Sequence, residues 1–249
     1  MTIPLFDVQT GFGGARPGQQ VLPLEELLGE MDRLAIGRAL VRTAPADLDA
    51  DFVWSNETLL AATETGERLV PCPVVVPSAG DDLPPEPEHI GALIEHGARA
   101  VTIRPGPDCW SLAPWCCGQL MSVLQERRLP VFCQESLVSL EQVAELADRY
   151  PDLPLIVAGV VYRSMRKIAP LVMRFDNVYL STGTNFTVHM GIERLIDLVG
   201  PERLLFGTGF PDVEPAMAVG QLMYADLGDD DRRLIGAGNL ERLIAEVRS

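Results

Sequence analysis

A chain of 249 residues that is 47% hydrophobic can bury a sizeable core, and its length suits one α/β barrel, so a single domain over residues 1–249 is expected. Its 35 acidic and 20 basic residues give a formal charge of -15, which argues against a nucleic-acid partner, because neutralising phosphates takes clustered Lys and Arg. No window approaches the roughly 20 apolar residues that span a bilayer, and residues 1–9 carry no basic segment followed by a long apolar run, so no membrane partner and a cytoplasmic location are expected.

Along the chain, short apolar runs alternate with segments of helical period. Runs that read as buried parallel strands fall at residues 5–8, 38–41, 69–76, 100–103, 131–133, 155–157, 178–180 and 204–206. Amphipathic helical segments are predicted over residues 23–34, 87–96, 115–128, 140–150, 164–174 and 189–199. Eight strands alternating with helices are the pattern of a (β/α)8 TIM barrel.

Local punctuation agrees. Ser139 followed three residues later by Gln142 forms a capping-box pattern, so a helix should begin there. The acidic, proline-rich residues 81–87 read as a surface loop after the third strand. The glycines around Gly11 and Gly14 lack both the GxGxxG spacing and the P-loop lysine, which leaves loop flexibility as their role. Five cysteines, Cys72, Cys109, Cys116, Cys117 and Cys133, include no CxxC pair and are expected as thiols.

The stretches LADRYPDLPLIVAG, DNVYLSTG, GPERLLFGTGFP and AGNLERLI, in that order and spacing, resemble the amidohydrolase 2 type of metal-dependent TIM-barrel hydrolases. The resemblance implies an amidohydrolase-like barrel and points to a metal held by a His-x-His after the first strand, histidines after the fifth and sixth, and an aspartate after the eighth. Here those positions fall on Gln9, Gly11, Gln134, Gly159 and Gly209. Three are glycines, with no side chain to offer, and two are glutamines, whose neutral amide is a poor zinc ligand. The strand 8 aspartate of such enzymes also serves as base for the metal-bound water, so metal-water hydrolysis is not expected, and no metal or other cofactor is assigned.

Active sites in this fold sit on the loops after the strands. That places Asp7, Gln9, Arg104, Gln134, Thr182, Asn185 and Thr208 as candidate ligand-binding residues in a polar mouth. Arg104 can pair a substrate carboxylate bidentately, or bridge structurally to Glu135 or Asp7. Glu135 and His189 are the candidate catalytic acid and base, against a solvated carboxylate for the first and helix initiation or a core hydrogen bond for the second. Cys133 reads as a core thiol, His89 and His96 as outer-ring residues. Residues 107–118, with two tryptophans and three cysteines, read either as a wall over the mouth or as an apolar packing loop. Asn239 reads as a helix cap.

Three functions follow. The barrel binds a small polar or carboxylate ligand, or a partner protein, without metal chemistry; or it is a metal-independent hydrolase or lyase using Arg104, Glu135 and His189; or it is a structural, oligomerising barrel whose pocket is plugged by Phe210 or Trp110. A homo-oligomer, most simply a homodimer, is compatible with each.

Overall fold

The computed structural model describes residues 3–13, 22–43, 52–64, 66–79, 82–183 and 189–249. Eight parallel strands alternate with helices in chain order: β1 (Phe6–Phe12), α1 (Leu24–Arg33), β2 (Arg38–Thr43), α2 (Phe52–Thr63), β3 (Leu69–Pro71), α3 (Glu86–Glu95), β4 (Val101–Thr102), α4 (Pro114–Glu126), β5 (Val131–Gln134), α5 (Leu140–Arg149), β6 (Leu155–Ala158), α6 (Met165–Arg174), β7 (Val178–Ser181), α7 (Gly191–Val199), β8 (Leu204–Leu205) and α8 (Pro215–Tyr224). After these come α9 (Asp229–Arg233), a π-helical turn (Leu234–Gly238) and α10 (Asn239–Ala245).

The ladders run β1-β2-β3 and β4-β5-β6-β7-β8. Two seams join them into a barrel. Val8 N donates to Phe206 O at 2.9 Å and Gly209 N to Gln9 O at 2.7 Å, tying β8 to β1. On the other side, Thr102 N donates to Pro73 O at 2.8 Å and Val75 N to Thr102 O at 3.0 Å, tying the chain after β3 to β4.

The strands show why near-continuous apolar runs were legible: both faces are buried. Phe6, Val8, Leu40, Val70, Ala100, Phe132, Ile156, Ala158 and Leu205 form one cluster inside the barrel, joined by Leu240 and Leu243 of α10. The alternate residues, among them Val41, Val131, Cys133, Leu155, Val157, Leu180 and Phe206, join the helices in a larger outer cluster. Phe210 and Trp110 pack against that outer cluster, not inside the barrel.

Several elements differ from the sequence reading. The third strand is shorter, because Pro71 and Pro73 cannot donate to a ladder. Asn56 of α2 compensates: its Nδ2 donates to Val74 O and its Oδ1 accepts from Val74 N, both at 2.8 Å. α2 carried no helical signal because the face it buries includes Ser55, Asn56 and Thr63. α3 starts at Glu86, inside the expected loop, and α4 starts at Pro114, so Trp115, Cys116 and Cys117 are helical, with Trp115 83% exposed. The expected capping box forms: Ser139 Oγ accepts from Gln142 N at 3.3 Å, and Gln142 Oε1 accepts from Ser139 N at 2.9 Å. Asn239 does not cap; fully buried, its Nδ2 donates to Pro201 O and Leu204 O at 2.8 Å, pinning the start of β8. Among the described residues no helix is long and apolar enough to cross a membrane.

Candidate functional site

The five positions singled out by the family resemblance gather at the C-terminal ends of the strands, in two adjacent groups. In the first, Gln134 pairs in register with Ala158, which places its side chain beside Gly159. Gly159 has φ +73, and a Cβ there would collide with Gln134 Nε2, so the glutamine amide occupies the space a side chain would need. In the second, Gly209 N donates to the Gln9 carbonyl at 2.7 Å and Gly11 N to the Phe210 carbonyl at 3.1 Å. Gln9 Oε1 accepts from Ser181 Oγ at 2.9 Å. Room for that amide comes from missing side chains: a Cβ at Gly183 would lie 2.8 Å from Gln9 Oε1.

Beneath Gln9 lies a knot built on Asp7, which is 2% exposed. Its Oδ1 accepts from Gln9 N and Thr208 N, each at 2.9 Å, and its Oδ2 accepts from the Thr208 hydroxyl at 2.5 Å. Thr208 Oγ1 accepts in turn from Phe210 N at 3.2 Å. Burial pushes the Asp7 carboxyl above its ordinary value, opposed by these hydrogen bonds and by the nearby Arg42 guanidinium. The knot welds β1 to the chain after β8. The Thr182 hydroxyl donates to Leu205 O at 3.2 Å and serves the same wall.

Arg104 follows β4 and is 1% exposed. Among the described residues it pairs with Asp108, not with Glu135 or Asp7. Nε donates to Asp108 Oδ2 at 3.0 Å and Nη2 to Asp108 Oδ1 at 2.7 Å, a bidentate pair closed within four residues of chain. Sequence reading missed the second arginine of the mouth, Arg42. It pairs in register with Gly11, its Cζ lies 3.9 Å from the centroid of the Phe132 ring, and it is half-buried. Arg42 stands directly after the apolar run of β2 just as Arg104 stands after that of β4, and that parallel was the available signal.

Glu135 is part-buried and accepts from Ser164 Oγ at 2.8 Å, which ties β5 to the start of α6. His189 is exposed ahead of α7, and the two make no hydrogen bond to each other. Asn185 and Thr184 lie outside the described residues. Cys133 is fully buried in the outer cluster, where burial pushes its thiol up to about 12. Among the described residues no group of three or more His, Cys, Asp and Glu could hold a metal ion.

Three solved structures share this architecture over nearly their whole length. 5-Carboxyvanillate decarboxylase from Sphingomonas paucimobilis is 13% identical with a TM-score of 0.75, covering 98% of this chain and 99% of its own. A 2,6-dihydroxybenzoate decarboxylase from Rhizobium is 15% identical at 0.72, covering 98% and 99%. A dihydroxybenzoic acid decarboxylase from Polaromonas sp. JS666, solved with bound manganese and the inhibitor 2-nitroresorcinol, is 17% identical at 0.69, covering 98% and 97%. Among curated protein sequences none matches. The class is therefore an amidohydrolase-like (β/α)8 barrel. The Amidohydrolase family model matches residues 14–244, and the chain belongs to that family.

Proposed function

We propose that the barrel mouth binds a small carboxylate-bearing ligand, with Arg42 as its anchor, and that it does so without the metal of the family. The observation that carries this reading is Arg42, in register with Gly11, one of the substituted ligand positions, with its guanidinium 3.9 Å from the centroid of the Phe132 ring. A guanidinium is a planar fork that matches a carboxylate in two parallel hydrogen bonds, and stacking on an aromatic ring limits the orientations it takes. Gln9 and Gln134, at two more of those positions, carry neutral amides that accept or donate to further polar groups.

The residues do not fit a catalytic transition metal. Such a site needs histidine, carboxylate or thiolate donors, and the five positions supply two amides and three glycines. One amide oxygen, Gln9 Oε1, already accepts from Ser181, and the other amide lies across Gly159. The names of the neighbours support the ligand class, since the decarboxylases among them act on aromatic carboxylates.

Titration with 2,6-dihydroxybenzoate tests the reading. Wild-type protein should bind saturably, and Arg42→Gln should weaken binding roughly tenfold or more, the worth of one charge-assisted hydrogen bond or two. Absence of saturable binding by the wild type, or equal binding by the variant, would overturn it.

A further inference from the structure

A second site, unrelated to the mouth, lies at the opposite end of the barrel. The N-terminal ends of β2 and β3 and the C-terminal ends of α2 and α3 border a solvent-open cavity of about 570 Å³. Its charged groups are sorted by depth. Arg38 is half-buried, its Cζ 4.5 Å from the centroid of the Phe6 ring that belongs to the barrel interior. Its Nε is buried without a hydrogen-bond partner, and the side chain makes no ion pair among the described residues. Arg38 lines the cavity and brings to it a positive charge that no carboxylate among the described residues meets.

Three carboxylates line the same cavity, Glu64, Glu67 and Glu95, all exposed at the rim and none ion-paired among the described residues. Arg38, stacked on Phe6, is more buried than these carboxylates. The last turns of α2 and α3 also end here, and helix C-termini favour cations. Arg99, the other lining cation, spends its Nη1 on the carbonyls of Ile94 at 3.0 Å and Ala98 at 2.8 Å. The cavity is thus bipolar, with a cationic floor and an anionic rim.

We propose that this cavity binds a small zwitterion of the α-amino acid class, its carboxylate on Arg38 and its ammonium toward the glutamate rim. A plain anion would face the rim's repulsion on entry, and a plain cation would leave Arg38 unpaired. A zwitterion satisfies both layers at once.

Two glycines that line the cavity, Gly66 and Gly97, give a local readout through their backbone amide resonances. Titration of the full-length protein with alanine should shift both saturably and leave Gly159 and Gly209 at the mouth unmoved. Arg38→Gln should weaken the alanine response roughly tenfold or more, Arg38→Lys should retain part of it, and joint replacement of Glu64, Glu67 and Glu95 by Gln should also weaken it. Acetate and methylamine should each bind more weakly than alanine. No shift at Gly66 and Gly97 with alanine, shifts unchanged in Arg38→Gln, or acetate binding as well as alanine would overturn the proposal. Arg42→Gln should leave this response intact, so failure here and failure at the mouth are separable.

Discussion

Asp7 and Arg104 at one end of this barrel and Arg38 at the other handle charge in opposite ways. At the C-terminal mouth, Asp7 is tied to Thr208 and Gln9, and Arg104 is closed onto Asp108 in a bidentate pair. At the N-terminal floor, Arg38 stacks on Phe6 with its Nε unmet. At the mouth these buried polar side chains are tied into the structure, whereas the floor, which in this fold is read as the stabilising end, holds a charge that no carboxylate among the described residues pairs.

The contrast is tested most strongly at Asp7. Asp7→Ala takes the acceptor from the buried N–H groups of Gln9 and Thr208 and removes the short bond to the Thr208 hydroxyl, and should lower stability by about 3 kcal/mol in urea unfolding; a loss below about 1 kcal/mol would mean the knot is not structural. The same residue has a pH signature. Its folded-state value is raised above 3.8, so the folded protein holds this proton more tightly than the unfolded chain. Its contribution therefore favours folding below pH 3.8 and is lost as pH rises through the raised value. The stability of wild type relative to Asp7→Asn should fall across that window, and a difference that rises with pH would reverse the assignment.

Gly159→Ala comes next. At φ +73 an alanine is strained, and its methyl must displace the Gln134 amide, the flexible end of a side chain, so a loss of about 1–2 kcal/mol in thermal unfolding is expected. The smallest change belongs to the floor. Arg38→Gln removes a stacked cation and no hydrogen bond among the described residues, and should cost no more than about 1 kcal/mol; a larger loss would make Arg38 a structural residue like Asp7.

The barrel was legible because parallel strands buried on both faces read as apolar runs, and because the Ser139 box and the C-terminal stretches fixed their spacing. α2 was not, since its buried face carries Asn56, whose purpose is to replace ladder bonds that Pro71 and Pro73 cannot make. At the mouth, strand-end counting located Asp7, Gln9, Gln134 and Gly209, but it could not pair them. The Arg104–Asp108 closure depends on a turn, and the Gln134–Gly159 overlap on two strands brought side by side. Arg42 was passed over because a lone charge after a strand carries no partner in the sequence; its meaning comes from Phe132, ninety residues on.

The most direct measurement is the affinity for 2,6-dihydroxybenzoate of protein stripped with a chelator, compared with the same protein supplied with zinc or manganese. Anchoring by Arg42 without a metal requires equal affinities in the two samples. Binding that appears only when metal is restored, in stoichiometric amount, would contradict it and return the mouth to the metal-dependent chemistry of its family.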